Sequence, residues 1–331
     1  MHSIPAGSFA RLSSPEALWQ AYLRYRRGKR RTHAVASFDL DADLHVLELS
    51  AELRRGRYRP GPYRLDVVHD PKVRLIAAAP VRDRVVHQAL VAELAPHYER
   101  GFIHDNYASQ SGRGPHRAVL RYLAWTRRHA FRLSLDVRRY FPSVDHAILA
   151  RLLFRRLADA RTRALIESTL VEGGKVYESE LARRVMRLEQ EPLRPRSGMP
   201  IGSYFSQWCG ALYLDAFDHF VKRELKVAAY LRYCDDLVLF AGEPPALEQA
   251  FETITDWLER ERALTIRPKG GGVRPTTEPS TFLGYRVSRG GILPGPKLKR
   301  RMRSRLRAAA ARGPQALARS VRSYAGSLDW R

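Results

Sequence analysis

The residues best equipped for chemistry are two adjacent acids in the run Leu231-Arg-Tyr233-Cys234-Asp235-Asp236-Leu-Val-Leu-Phe240. Apolar segments flank them, so Asp235 and Asp236 fall at the bend of a strand–turn–strand hairpin. An ordinary two-residue turn takes Asn-Gly or Asp-Gly, and two carboxylates at a tip repel unless positive charge offsets them. A divalent cation does so directly, and Mg²⁺ takes hard carboxylate oxygens at about 2.1 Å. A third acid, Asp136, ends the alternating run Phe131-Arg-Leu-Ser-Leu-Asp136. With that strand beside the hairpin, the acids face one site. Two ions about 3.5–4 Å apart there activate an attacking hydroxyl and stabilise a leaving phosphate oxygen. The protein's part is position and charge.

Other elements must hold these strands in place. The chain has 331 residues, enough for a sizeable core. Its 58 basic and 34 acidic residues give a net charge of +24, which points to a polyanionic partner. Two cysteines, Cys209 and Cys234, make neither a disulfide framework nor a zinc site. The N-terminal residues lack a signal-peptide pattern, and no apolar run is long enough to span a bilayer. The expectation is therefore a cytosolic protein with no membrane partner.

Residues 14–27 read as an amphipathic helix capped by Ser14, with Leu18, Tyr22 and Tyr25 on one face. A second helix is expected over 42–55, with Asp39, Asp41 and Asp43 favouring its N-terminus rather than forming a calcium loop. Residues 63–79 read as extended and Val81–Leu94 as helical. Arg82, Asp83 and Arg84 read as a local ion-pair network. Asp145 reads as a helix cap and not a third ligand. Helices are expected on to about residue 190, then a loop over 191–198, one long buried helix over 203–225 and another helix over 245–262. A short strand at 264–266, a flexible turn at Gly270-Gly271-Gly272 and a strand over 282–287 follow. From Pro296 the tail carries Lys297, Lys299, Arg300, Arg301, Arg303, Arg305 and Arg307 with no acid before Asp329, which favours a helix lying on a nucleic-acid backbone.

Tyr233-Cys-Asp-Asp236 and the segment around Asp136, in this order and in strand contexts, resemble two carboxylate boxes of the reverse transcriptase family. The resemblance implies an α+β right-hand polymerase fold with an antiparallel palm sheet packed on helices. It implies an N-terminal helical extension (1–62), fingers (63–130), a palm (131–288, with a helical insertion at about 146–197) and a short basic thumb (289–331). It also implies RNA-directed DNA synthesis with two Mg²⁺ ions, Mn²⁺ able to substitute, held by Asp136, Val137, Asp235 and Asp236. The first acid of the hairpin box is the firmer ligand.

Further segments fit the same resemblance. Asp70-Pro-Lys72-Val-Arg74 resembles the fingers region, where Lys72 and Arg74 alternate and can face one triphosphate. Tyr107 to His116, with Gly112, Arg113 and Gly114, resembles a glycine-rich box that lets template or nucleotide approach the backbone. Phe141, five positions after Asp136, matches the aromatic that blocks a ribose 2′-hydroxyl. Arg138 and Tyr140 flank it as nucleotide contacts, and Lys269 matches a lysine near the leaving pyrophosphate. Arg113, Gln207, Tyr233 and the basic tail residues Lys297, Lys299, Arg300, Arg301 and Arg303 are the expected nucleic-acid contacts.

Gly198-Met-Pro200-Ile201-Gly202-Ser203-Tyr-Phe-Ser206-Gln207 resembles the box that supports the nascent base pair, where most members have Gln in place of Ile201. This form is similar to that of reverse transcriptases from diversity-generating retroelements. Phe282-Leu-Gly284-Tyr285 and the ending Ser323-Tyr324-Ala-Gly326-Ser-Leu328 agree. That resemblance implies error-prone, adenine-directed copying of a template repeat RNA into cDNA from dNTPs. It also implies a small basic oligomeric accessory protein, and a bacterial, archaeal or phage-encoded source. The alternatives are a retron-, defence- or CRISPR-associated reverse transcriptase and a catalytically silent RNA-binding scaffold.

Overall fold

The computed structural model describes residues 4–69, 73–110, 112–190 and 192–328. The phosphate contact expected of Lys72 falls outside the described residues. The chain divides into two compact units, each assembled from three stretches. One comprises Met1–Phe102, Arg138–Ala216 and Leu258–Leu264; the other comprises Ile103–Val137, Phe217–Trp257 and Thr265–Arg331. Among the described residues every strand pair is antiparallel, and no helix is long and apolar enough to cross a membrane.

The first unit is mostly helical. Ser14 accepts a hydrogen bond from the Ala17 amide at 3.1 Å and Pro15 opens the helix Pro15–Arg26, as cap chemistry predicts. Leu18, Tyr22 and Tyr25 are buried along it. Of the three acids expected at the start of the helix Ala42–Arg54, Asp43 lies in its first turn, the Asp41 side chain makes no cap bond, and Asp39 instead accepts a hydrogen bond from the Tyr22 hydroxyl. Strands β1 (Arg64–Val68) and β2 (Arg74–Ala78) form a hairpin ahead of the helix Val81–Tyr98.

The local ion-pair reading holds in part, with Arg82 Nε 3.8 Å from Asp83 Oδ1, but Asp83 does more. It is buried, and it accepts hydrogen bonds from the Tyr58 hydroxyl at 2.9 Å and the Gly61 amide at 2.8 Å. It therefore anchors the segment before β1, while Arg82 turns mainly to Glu52.

The expected helix over 203–225 is broken into Tyr204–Tyr213, Asp215–His219 and a wider π-type turn at Phe220–Glu224. The first break, after Tyr213, coincides with contacts from outside the segment. The Tyr213 carbonyl accepts from Arg262 Nε at 2.7 Å, and the Tyr213 hydroxyl donates to the Arg262 carbonyl at 2.7 Å. A carbonyl engaged by a distant guanidinium is drawn out of the helical ladder.

The second unit is built on a sheet of order β4-β5-β3-β6, with β3 Phe131–Val137, β4 Tyr230–Tyr233, β5 Asp236–Ala241 and β6 Ile266–Pro275. Tyr122 and Trp125, from the helix Pro115–Arg128, pack with Leu231, Val238 and Phe240 of the sheet and with Phe282. Tyr122 stacks on Phe282 at 4.7 Å. A second sheet, β7 (Ser280–Phe282), β8 (Tyr285–Ser288) and β9 (Gly291–Pro294), precedes the helices Pro296–Ala310 and Pro314–Leu328.

Two sequence readings change here. The glycines 270–272 are not a free turn. They lie inside β6 with φ of 68, 84 and 102°, and the β3–β6 register shifts between Leu133 and Leu135. Three glycines let an edge strand bulge and then resume its pairing. The strand expected over 282–287 is a tight hairpin: Phe282 pairs with Tyr285 across Leu283 and Gly284, whose φ values are 49 and 89°. A two-residue loop with both φ angles positive matches the right-handed twist of its strands.

Candidate active site

The carboxylates gather on the sheet of the second unit. Strands β3 and β5 are registered so that Asp136 lies directly opposite Asp236. Directly opposed residues share a face, with Cβ atoms about 4.5–5.5 Å apart, and like charges there destabilise the pair. On the other side of β3, Arg267 of β6 is registered with Asp136. One row across three strands thus reads Asp236, Asp136, Arg267.

The cations complete the arrangement. Arg267 donates to Asp136 Oδ2 through Nε at 3.2 Å and Nη2 at 3.1 Å. Lys269 Nζ lies 3.1 Å from Asp136 Oδ1 and also contacts Asp236 Oδ1. No three His, Cys, Asp or Glu side chains among the described residues form a ready metal cluster. What Asp136 and Asp236 offer is a pair of hard, partly exposed oxygen ligands already bridged by one cation. That donor chemistry fits a divalent ion.

Asp235 stands at the tip with Cys234. The Asp235 carbonyl accepts from the Val137 amide at 3.3 Å, which ties the tip to the end of β3. Cys234 adopts φ of 54°, an uncommon backbone for a side-chain-bearing residue. Burial pushes its thiol up to about 11, and the neighbouring Asp235 charge adds to the rise.

The tip is held from inside by Arg232 and Asp218, both fully buried. Arg232 Nε and Nη2 donate to the Asp218 carboxylate at 2.6–3.0 Å, and Tyr230 donates its hydroxyl to the same carboxylate at 2.7 Å. Arg232 Nη1 reaches the Cys234 carbonyl at 3.4 Å. The outer edge of β4 is covered by the segment around Asn106: the Arg232 amide donates to the Asp105 carbonyl and the Tyr107 amide to the Arg232 carbonyl. Burial alone would raise the Asp105 carboxyl; hydrogen bonds and charge from Lys222 and Arg121 outweigh that and hold it below its ordinary value.

A second cluster of expected site residues lies in the first unit. The Ile201 carbonyl accepts from the Ala77 amide of β2 at 2.8 Å, and the Met199 amide donates to the Phe141 carbonyl at 2.8 Å. These bonds draw the loop Pro200–Gly202, Phe141 and the strand that begins with Arg74 together. Gly202 has φ of 112°, and a Cβ there would meet the Ala77 carbonyl oxygen at 3.0 Å, so a side chain would strain the backbone and crowd β2. Phe141 and Ile201 are half-buried.

A family model described as reverse transcriptase (RNA-dependent DNA polymerase) matches residues 68–287, well over half of the chain. The chain belongs to the reverse transcriptase family. As such it is an RNA-directed DNA polymerase, a nucleotidyltransferase whose substrates are a template nucleic acid and dNTPs. Among curated proteins, the Escherichia coli (strain K12) protein YkfC is 25% identical over 289 residues, covering 76% of this chain and 72% of YkfC. The matched span of this reverse transcriptase contains Asp136, Asp235, Asp236 and Lys269 and stops before the basic helices.

In this reverse transcriptase two expected nucleotide contacts, Tyr140 and Pro200, are buried. The Tyr140 side chain is buried and its hydroxyl donates to the Gly210 carbonyl, so its ring belongs to the core. Pro200 is buried where a Cβ on Gly173 would collide with it at 2.8 Å. Arg113 donates to the His104 carbonyl and lies 5.8 Å from the Tyr107 ring centroid. Arg138 and Gln207 are exposed, and Tyr233 packs partly against the core. Asp145, read from the sequence as a helix cap, caps the helix His146–Phe154 by accepting from the Ile148 amide at 2.9 Å.

Lys299, Arg300 and Arg303 line a groove of about 670 Å³ together with Arg286 of β8 and Arg307. Lys297 and Arg301 are exposed outside it. Sequence reasoning missed Arg286, Arg267 and the Asp218–Arg232 pair. Of these only Arg232 carried a signal: a charge inside the apolar strand Tyr-Leu-Arg-Tyr requires a buried partner.

Proposed function

We propose that this reverse transcriptase works by two-metal nucleotidyl transfer and makes error-prone cDNA copies of a template repeat RNA in a diversity-generating retroelement. The observation that carries the catalytic part is the register of Asp136 against Asp236, beside the Asp235 tip. Asp136, Asp235 and Asp236, with the Val137 carbonyl, would hold two Mg²⁺ ions, which supply Lewis acidity to the primer 3′-hydroxyl and the leaving pyrophosphate. The buried Arg232–Asp218 pair fixes the tip. Arg74 and Lys72 meet the triphosphate, and the exposed cations of the tail meet the nucleic-acid backbone. In this reading residues 63–130 serve as fingers, 131–288 as palm and 289–331 as thumb, and a small basic accessory protein assists. Extension of a DNA primer on an RNA template with Mg²⁺ tests the polymerase. No Mg²⁺-dependent product from an intact chain would count for a silent scaffold.

Phe141 is the proposed sugar check. Phe141→Ala should raise ribonucleotide incorporation by one to two orders of magnitude, roughly the effect of losing one steric or packing discrimination of about 1–3 kcal/mol. Single-nucleotide insertion with dATP and ATP reads this, and an unchanged ratio removes Phe141 from the role.

The mutagenic part rests on Ile201. An amide there can hydrogen-bond near the nascent pair, whereas isoleucine only packs. Loss of a polar contact narrows the gap between right and wrong pairs. Ile201→Gln should lower misincorporation opposite template adenine several-fold, measured by sequencing cDNA. An unchanged error spectrum takes Ile201 out of the explanation.

A further inference from the structure

Lys269 makes two contacts that point beyond binding a nucleotide. Its ammonium touches Asp136 Oδ1 at 3.1 Å and also Asp236 Oδ1, the two carboxylates that the β3–β5 register sets face to face. Arg267 takes the other oxygen, Oδ2, of Asp136. The two cations therefore divide the Asp136 carboxylate between them, one oxygen each.

They differ in how readily they let go. Arg267 is directly across the ladder from Asp136 and binds one oxygen through two nitrogens of a planar fork. Lys269 is a compact charge on a flexible four-carbon stem, without the planar fork that lets Arg267 hold one oxygen through two nitrogens. It stands immediately before three glycines with positive φ, on the bulged stretch of an edge strand. The oxygens it bridges are those a cation shared by Asp136 and Asp236 would need. Two cations cannot occupy one position between the same oxygens.

We propose that Lys269 and a divalent cation compete for the Asp136 and Asp236 carboxylates, so that metal uptake displaces the Lys269 ammonium while Arg267 stays on Asp136 and holds its orientation. This rests on the metal reading given above. Lys269 is then a positioning residue: it keeps the opposed acids from repelling and yields its place when the ion arrives. Its charge weakens metal binding by competition.

The test is Mn²⁺ binding to the full chain without nucleic acid, followed by the electron paramagnetic resonance of free Mn²⁺. Lys269→Met should tighten the Mn²⁺ dissociation constant about three- to tenfold, the effect of removing a competing unit charge at contact distance in a partly solvated site. Lys226→Met, an exposed cation on another element of the same unit, should leave the constant unchanged. Chelator-treated Lys269→Met should melt below wild type, and saturating Mn²⁺ should close the gap, which a purely structural lysine would not allow. Lys269→Gln serves as a second variant should the Met form fold poorly. Weaker or unchanged Mn²⁺ binding in both variants overturns the competition while leaving the metal reading intact. Mn²⁺ binding that is indifferent to Asp136→Asn overturns the metal reading and the competition together.

Discussion

Asp136→Asn should reduce Mg²⁺-dependent primer extension by about a thousandfold or more while the protein stays folded. Asparagine keeps the shape of the side chain and removes the charge on which the proposed cation binding depends. The structural cost is small, because the bonds lost to Arg267 and Lys269 lie at a partly exposed surface, where ion pairs contribute about 0–1 kcal/mol. The change also removes one of two like charges placed face to face. Initial rates on an RNA template, read beside a thermal melt, separate chemistry from folding. A variant that keeps a tenth of the wild-type rate would sink the assignment of Asp136.

Asp218→Ala should destabilise the chain by about 3–5 kcal/mol, because it strips the carboxylate from a guanidinium that has no exposed surface. The Tyr230 hydroxyl loses the same partner. Urea unfolding gives the measurement, and a midpoint equal to wild type would refute the account of the buried pair. The double variant Asp218→Leu with Arg232→Met should recover much of that loss, since apolar groups of similar volume often replace a buried pair without penalty. Activity should not recover with it, because the double variant still lacks the Arg232 contact to the Cys234 carbonyl. Stability and rate therefore part company in the double variant, which distinguishes support of the tip from support of the fold.

The site was most legible where local chemistry decides. Ser14 and Asp145 announce helix starts because a cap needs only its own neighbours. Strand β3 and the hairpin of β4 and β5 show in alternation and in the odd placement of two acids at a bend. What stayed hidden depends on partners far along the chain. Nothing between residues 203 and 225 tells that Arg262 will draw on the Tyr213 carbonyl and end a helix there. Three consecutive glycines read as a turn because the pairing of β6 with β3 is a tertiary fact. Arg267 was missed for the same reason: it gains meaning only from the register that sets it across from Asp136. Tyr140 and Phe141 are adjacent aromatics of similar character, and only burial shows that the first is spent in the core while the second stays half-open.

The groove beside the helix Pro296–Ala310 carries Arg286, Lys299, Arg300, Arg303 and Arg307 around the exposed Leu293, with no acid among its lining residues. In the nucleic-acid role proposed for it, such a surface would meet phosphates and be blind to bases. Phosphates recur identically along a strand, so a strand laid there has no favoured register. Advancing it by one nucleotide exchanges each ion pair for an equivalent one, and sliding proceeds without release. A grip of that kind suits a machine that must keep hold of its product while moving it one step after every addition.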